Sequence, residues 1–299
     1  MKIIGTGLSG LVGSRIMELL QTNFEFVDFS LDSGLDITDF NQLKSAFTNQ
    51  SEAKIVLHLA AFTDVDAAFR QNGDKDGICY RVNVTGTENI AKLCAETGKY
   101  LIHISTDFVF DGNKHGQYSE EDIPRPIEWY GQTKLWAEEK VQQSECSWVI
   151  LRTAFPFKAK PSPVVLEPKA KLDLVRKIKS KLEAGKTLQL FTDQIITPTF
   201  IDNLVKVVEM VLVKKPQGIY HAVGSTSLSP YALGQEIATV FKIDAKLIQQ
   251  VTLNDFFREK VRPRQKNLSL SNEKLIRELG MRMSEISEAL MEIKRQLTV

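Results

Sequence analysis

Lys2-Ile3-Ile4-Gly5-Thr6-Gly7-Leu8-Ser9-Gly10-Leu11-Val12-Gly13 decides the fold. A short apolar strand runs into glycines at 7, 10 and 13, and a helical pattern follows from Ser14 through Leu20. This spacing has a physical purpose between a strand and a helix. The first glycine makes a tight turn, and the second lets backbone approach a pyrophosphate. The third lets helix and strand pack closely, while the helix N-terminus faces the anion. A second strand, Phe24 to Phe29, carries Asp28 near its end. An acid about twenty residues past the loop suits the ribose hydroxyls of an adenosine and repels a 2′-phosphate. The cofactor expected is therefore NADH or NADPH, with a lean to NADH.

Strand and helix alternate from there. Leu35 to Asp39 opens a helix through Phe47, with Thr38 or Asp39 as N-cap, and places Asp36 and Ile37 to flank an adenine. Lys54 to Leu59 is a buried strand leading into Ala60, Ala61 and Thr63, small enough for close cofactor approach. A helix from Arg81 to Thr97 carries Asn83, as a cap or as a polar brace beside the site. The strand Tyr100 to Ile104 ends in Ser105-Thr106-Asp107, and carboxyl ends of parallel strands face the ligand crevice. Thr106 is thus placed to hydrogen-bond a substrate oxygen. Beyond a Gly-, Asp- and Pro-rich loop, Tyr130 and Lys134 stand four apart, on one helical face. An ammonium there would favour the phenolate and bring Tyr130 towards neutrality, fit for proton transfer to or from an alcohol or carbonyl oxygen.

The second half reads as Trp148 to Leu151, a sixth strand, and Gly218 to Val223, a seventh. Helices are expected at Lys169 to Leu182, Ile201 to Val213, Tyr231 to Phe241 and Ser284 to Leu297. Phe155 to Pro168, rich in proline and lysine, reads as a lid or linker. The fold expected is α/β: a Rossmann doubly wound parallel sheet with a smaller C-terminal substrate domain. The sheet domain spans 1–154 plus a return segment near 186–223, and the substrate domain 155–185 and 224–299.

A net charge of +1 over 299 residues gives no support to nucleic acid or anionic membrane as partner. No apolar run approaches the ~18 residues of a membrane span. Cys79, Cys94 and Cys146 have no metal-like spacing and read as reduced thiols of a cytoplasmic protein. His58, His103, His115 and His221 show no ligand spacing, so no metal is expected. A homodimer is compatible with this composition.

GTGLSGLVG (5–13), HLAAFTDVD (58–66), VNVTGT (82–87), ISTDFVFDG (104–112) and YGQTK (130–134), in this order, resemble the extended short-chain dehydrogenase/reductases. Among them the chain is most similar to the dTDP-4-dehydrorhamnose reductases, through LRTAF (151–155), FTDQIITPTFIDNL (191–204), GIYHAVG (218–224) and RPRQKNLSLSNEKL (262–275). The resemblance implies reduction of a nucleotide-linked 4-keto sugar by NAD(P)H. It implies Thr106, Tyr130 and Lys134 as the catalytic set, Tyr130 protonating the nascent alkoxide and Lys134 holding the nicotinamide ribose. Cofactor contacts would come from Gly7, Gly10, Leu11, Val12, Gly13, Asp28, Asp36, Ile37, Ala60, Ala61, Thr63 and Asn83, besides Tyr130 and Lys134. Asp107, Phe155 and Arg262 would meet the substrate, Phe155 where relatives place Trp over the sugar. Dehydratases of this kind follow the Thr-Asp pair with Glu. Phe108 stands there instead, which favours simple reduction. The alternatives are a non-catalytic NAD(P)-binding regulatory subunit, like the β subunit of methionine adenosyltransferase, and a nucleotide-sugar epimerase.

Overall fold

Six parallel strands form the central sheet: β1 (Lys2–Thr6), β2 (Glu25–Asp28), β3 (Ile55–His58), β4 (Tyr100–Thr106), β5 (Trp148–Thr153) and β6 (Gly218–His221). Their spatial order is β6-β5-β4-β3-β1-β2. The structure, a computed structural model, describes residues 1–160, 172–257 and 262–298. Most of the proline- and lysine-rich segment read as a lid lies outside the described residues, as do the first residues of the helix expected from Lys169.

Alternation along the strands explains why both sheet faces are covered. Ile3, Ile55, Leu57, Ile102, Val149 and Leu151 enter one core, where α1 (Leu11–Leu20) packs with the helix Ile201–Lys214. Ile4, Val56, Leu101 and Ile150 enter the opposite core with Leu43, Phe47, Ile90 and Leu93. Those four come from α2 (Phe40–Asn49) and α3 (Thr87–Thr97). Period-two side chains on a sheet buried on both faces give this division. Asp39, whose side chain accepts from Gln42 N, is the N-cap of α2.

Two expectations are corrected. The sheet has six strands rather than seven, with Trp148–Thr153 fifth and Gly218–His221 sixth in chain order. The chain also returns to the sheet later than residue 186. Leu188–Phe191 instead pairs in parallel with Ile248–Val251, beside the helix Pro230–Phe241. The return begins with Ile201, whose helix covers the first core. A further core gathers Phe157, Val175, Ile178, Leu182, Ile196, Leu233, Ile237, Leu268, Leu290 and Ile293.

The helix α4 (Trp129–Gln142) is anchored to the sheet by a buried ion pair. Arg152 of β5 donates through Nε and Nη2 to the two carboxylate oxygens of Glu138, at 2.9 and 2.6 Å. Both residues are fully buried, and the guanidinium lies 5.2 Å from the Phe110 ring centroid. Removing one member leaves an uncompensated charge in the core. Glu138→Ala should therefore lower unfolding free energy in denaturant by ~3–5 kcal/mol. Arg282→Ala, breaking the exposed pair with Glu288, should cost less than ~1 kcal/mol. Equal, small losses would show that the buried pair does not anchor α4.

Candidate active site

The chain leaves β1 for β2 on one side and comes back to β3 on the other, so a crevice opens past the carboxyl ends of β1 and β3. Gly7 sits at its base with φ +67°, and a Cβ there would stand 2.7 Å from Ala60 N. At Gly13 a Cβ would stand 2.4 Å from Gly7 O. The turn is thus closed to side chains at both positions. Gly10 is the N-cap of α1 and contributes no side-chain bond, which leaves the first N–H groups of that helix available to an anion. This cradle fits a dinucleotide pyrophosphate.

A buried hydrogen-bond chain holds the strand ends. Thr6 Oγ1 accepts from Leu59 N and Ala60 N and contacts His58 Nδ1 at 2.7 Å. Thr87 Oγ1 donates to Asn83 O, so it must accept from His58 Nε2, 2.9 Å away. Burial holds His58 neutral, with its pKa lowered to about 3. The histidine is a satisfied brace.

One cleft of about 840 Å³ runs from this turn to α4. Gly7, Gly10, Leu11, Val12, Gly13, Asp36, Ile37, Ala60, Ala61 and Thr63 line it, as do Thr106, Asp107, Tyr130, Lys134 and Phe155. Three expected residues do not. Asp28 turns its carboxylate to Ser30 Oγ at 2.7 Å, and the acid lining that end is Asp32. Asn83 is a brace rather than a cap: its Oδ1 accepts from Phe62 N at 2.7 Å and its Nδ2 donates to Thr133 Oγ1 at 3.0 Å. It lies in a π-helical segment, Arg81–Gly86, just before α3. Arg262 pairs with Asp66 at 2.9 Å and lies 6.0 Å from the ring centroid of Phe108, which does line the cleft. Sequence reasoning missed Ser30, Leu31 and Asp32. Their signal was a Ser-x-x-Ser capping box before Gly34, which has φ +80°.

At the other end, Glu128 caps α4 by accepting from Tyr130 N at 3.0 Å and Gly131 N at 2.6 Å. A Cβ on Gly131 would stand 2.2 Å from Phe108 O, so the first turn of α4 lies directly against the end of β4. The contact brings the Tyr130 phenol into hydrogen bonding with Thr106. Lys134 Nζ donates to Ile104 O at 2.8 Å and stands 3.4 Å from His103 Nε2.

The expected acidification of Tyr130 is not found. Burial raises the phenol pKa above its ordinary value; the Thr106 hydrogen bond opposes this, and Asp107, Glu128 and Cys79 add to it. Lys134 is itself pulled down to about 8 by burial. Taking both groups out of water favours both neutral forms over the charged pair. Tyr130 therefore keeps its proton at physiological pH.

Phe155 has φ +42°, unusual for a residue with a Cβ, and its ring centroid lies 6.4 Å from that of Phe108. Strained backbone of this kind is concentrated at ligand-contacting sites. Among the described residues, no group of three or more His, Cys, Asp or Glu could hold a metal, and no helix is long and apolar enough to cross a membrane.

A doubly wound sheet with a glycine turn at its switch point, and a Thr-Tyr-Lys set on the neighbouring strand and helix, defines an extended short-chain dehydrogenase/reductase. The chain belongs to the family described as RmlD substrate binding domain, whose model matches residues 1–299. It is 31% identical over 277 residues, 89% of each chain, to the probable low-salt glycan biosynthesis reductase Agl14 of Haloferax volcanii. It is 28% identical to a dTDP-4-dehydrorhamnose reductase of Aggregatibacter actinomycetemcomitans, over 98% of each chain. The solved dTDP-4-dehydrorhamnose reductase from Clostridium acetobutylicum superimposes with a TM-score of 0.88 at 29% identity, covering 100% of each chain.

Gly131→Ala should move α4 away from β4. Turnover should fall ~10²-fold, the usual result of an ångström-scale misplacement, while cofactor affinity measured by fluorescence stays within a few fold. Wild-type turnover would show that the contact with Phe108 O does not set the site.

Proposed function

We propose that this chain reduces the C4 carbonyl of a nucleotide-linked 4-keto-6-deoxy sugar with NAD(P)H, as a dTDP-4-dehydrorhamnose reductase does. The observation that carries the reading is a protonated phenol, Tyr130, hydrogen-bonded to Thr106 within the cleft that begins at the glycine turn. A group that must give a proton has to hold one beforehand, and burial keeps Tyr130 neutral. When bound, the nicotinamide would supply the hydride. Thr106 would orient the carbonyl oxygen, Tyr130 would protonate it, and Lys134 would hold the nicotinamide ribose. Asp107 and Phe155 line the same end of the cleft as the phenol, where the sugar would sit. Its nucleotide would extend between the carboxyl edge of the sheet and the further core, with Arg262 released from Asp66 to meet the diphosphate. Three buried free thiols suit a cytoplasmic enzyme.

For the cofactor we propose NADH. Among the described residues lining the cleft, the cation is Lys134, at the catalytic end, and the acids are Asp32, Asp36 and Asp107. A 2′-phosphate at the adenosine end would meet Asp32 with no counter-charge.

Tyr130→Phe should lower kcat by ~10²-fold or more while leaving NADH affinity nearly unchanged. Equal turnover would remove Tyr130 from the chemistry. A wild type that binds NADH but turns over no 4-keto sugar would favour a regulatory subunit, and tightly retained NAD on purification would favour an epimerase. Asp32→Ala should shift the kcat/KM ratio of NADH to NADPH towards NADPH by ~10-fold, as expected for losing one repulsive contact of roughly 1.4 kcal/mol. An unchanged ratio would leave the preference without an electrostatic cause at Asp32.

A further inference from the structure

A threonine hydroxyl has one proton and two lone pairs. Thr106 Oγ1 donates its proton to Asp107 Oδ1 at 2.9 Å and accepts from Phe108 N at 3.3 Å. Its remaining lone pair meets the phenol of Tyr130, which must then be the donor in that bond. The single proton of Tyr130 therefore points at Thr106, away from the cleft. With an ionised Asp107, the proton donor is turned from its substrate.

Asp107 offers the way out. Its side chain is 1% exposed, it lines the cleft, and its Oδ2 has no partner among the described residues. An unpaired buried carboxylate oxygen is costly, whereas the neutral acid relieves that cost. A proton on Oδ1 reverses every bond in the chain without moving a heavy atom. Asp107 then donates to Thr106, Thr106 donates to the phenol oxygen, and the phenol proton is free to face a carbonyl.

We propose that Asp107 is a positioning residue that sets the direction of the Tyr130 proton through Thr106 and replaces that proton after it is given away. The proposal rests on the reductase reading. As the bound nicotinamide delivers hydride to the carbonyl carbon, the Tyr130 O–H bond breaks and the proton joins the substrate oxygen. The Thr106 proton forms the new O–H bond on Tyr130, and the Asp107 proton forms the new one on Thr106. Asp107 is left as a carboxylate, and a solvent proton restores it.

The surroundings fit this role. Burial pushes Asp107 up to about 7, opposed by the Thr106 bond and the N–H groups of Asp107 and Phe108, and the charge of Glu128 adds to the rise. Glu128 and Tyr130 face it from α4. The nearby cations are engaged elsewhere, Lys134 on Ile104 O and Arg262 on Asp66.

The experiment compares wild type with Asp107→Asn, a near-isosteric change that cannot release a proton. The first readout is kcat/KM for a dTDP-linked 4-keto-6-deoxy sugar from pH 5.5 to 9, and the second is infrared titration of the carboxylic-acid band without substrate. In the wild type, kcat/KM should be flat at low pH and fall tenfold per unit above a transition near pH 7. The infrared band should disappear over the same transition. Asp107→Asn should lack both transitions and lose ~10²-fold in kcat, with unchanged NADH affinity. A variant that keeps the wild-type pH transition, or an Asp107 already ionised at pH 5.5, would overturn the proposal. The infrared titration decides the state of Asp107 even in a protein that reduces no keto sugar, so the two failures are distinguishable.

Discussion

Everything in this molecule is built out from the close contact of two backbone segments, Gly7 after β1 and Ala60 after β3. Their strands are neighbours in space, but the chain visits β2 on the far side between them. The contact is so close that a Cβ on Gly7 would lie 2.7 Å from Ala60 N, and Thr6 ties the strand ends through Leu59, Ala60 and His58. This junction fixes where α1 starts, where its N–H groups point and where one end of the cleft lies. Any side chain at Gly7 would separate the strands or close the cradle.

The other end of the cleft is set by α4, which is held at two points. Gly131 lies against Phe108 O, and Glu138 grips Arg152 in the sheet. Between them, Tyr130 and Lys134 are withdrawn from water. Desolvation opposes charge on either, so the helix presents a neutral phenol and an amine titrating near 8. Such a pair suits giving a proton to a developing alkoxide better than taking one from an alcohol. The same burial acts on Asp107, which connects the phenol to a titratable group on β4.

What was legible in the sequence follows the range of the interactions. Gly7, Gly10 and Gly13, the alternation in Ile3-Ile4 and Ile55-Val56-Leu57, and the Tyr130–Lys134 spacing are local patterns, and the fold and most cleft-lining positions follow from them. Asn83 left two readings open because both place a polar group near a helix start, and only Phe62 and Thr133 arriving from elsewhere decide between them. Asp28 and Asp32 are four residues apart, and which of them faces the cleft depends on a 3₁₀ turn capped by Ser30 and Ser33. The Tyr130 shift ran opposite to expectation because helical spacing puts an ammonium nearby but carries no information about how much water remains. The six-strand count and the later return at Ile201 likewise depended on Leu188–Phe191 finding Ile248–Val251 as its partner.

The most direct measurement follows the hydrogen itself. The protein is incubated with a nicotinamide cofactor deuterated at C4 and a dTDP-linked 4-keto-6-deoxy sugar, and the product is examined by proton NMR. One deuterium at C4 of the sugar, with an equal amount of oxidised cofactor, is the expected result. A sugar product without deuterium, or deuterium regained by the cofactor as in an epimerase cycle, would contradict the reductase reading.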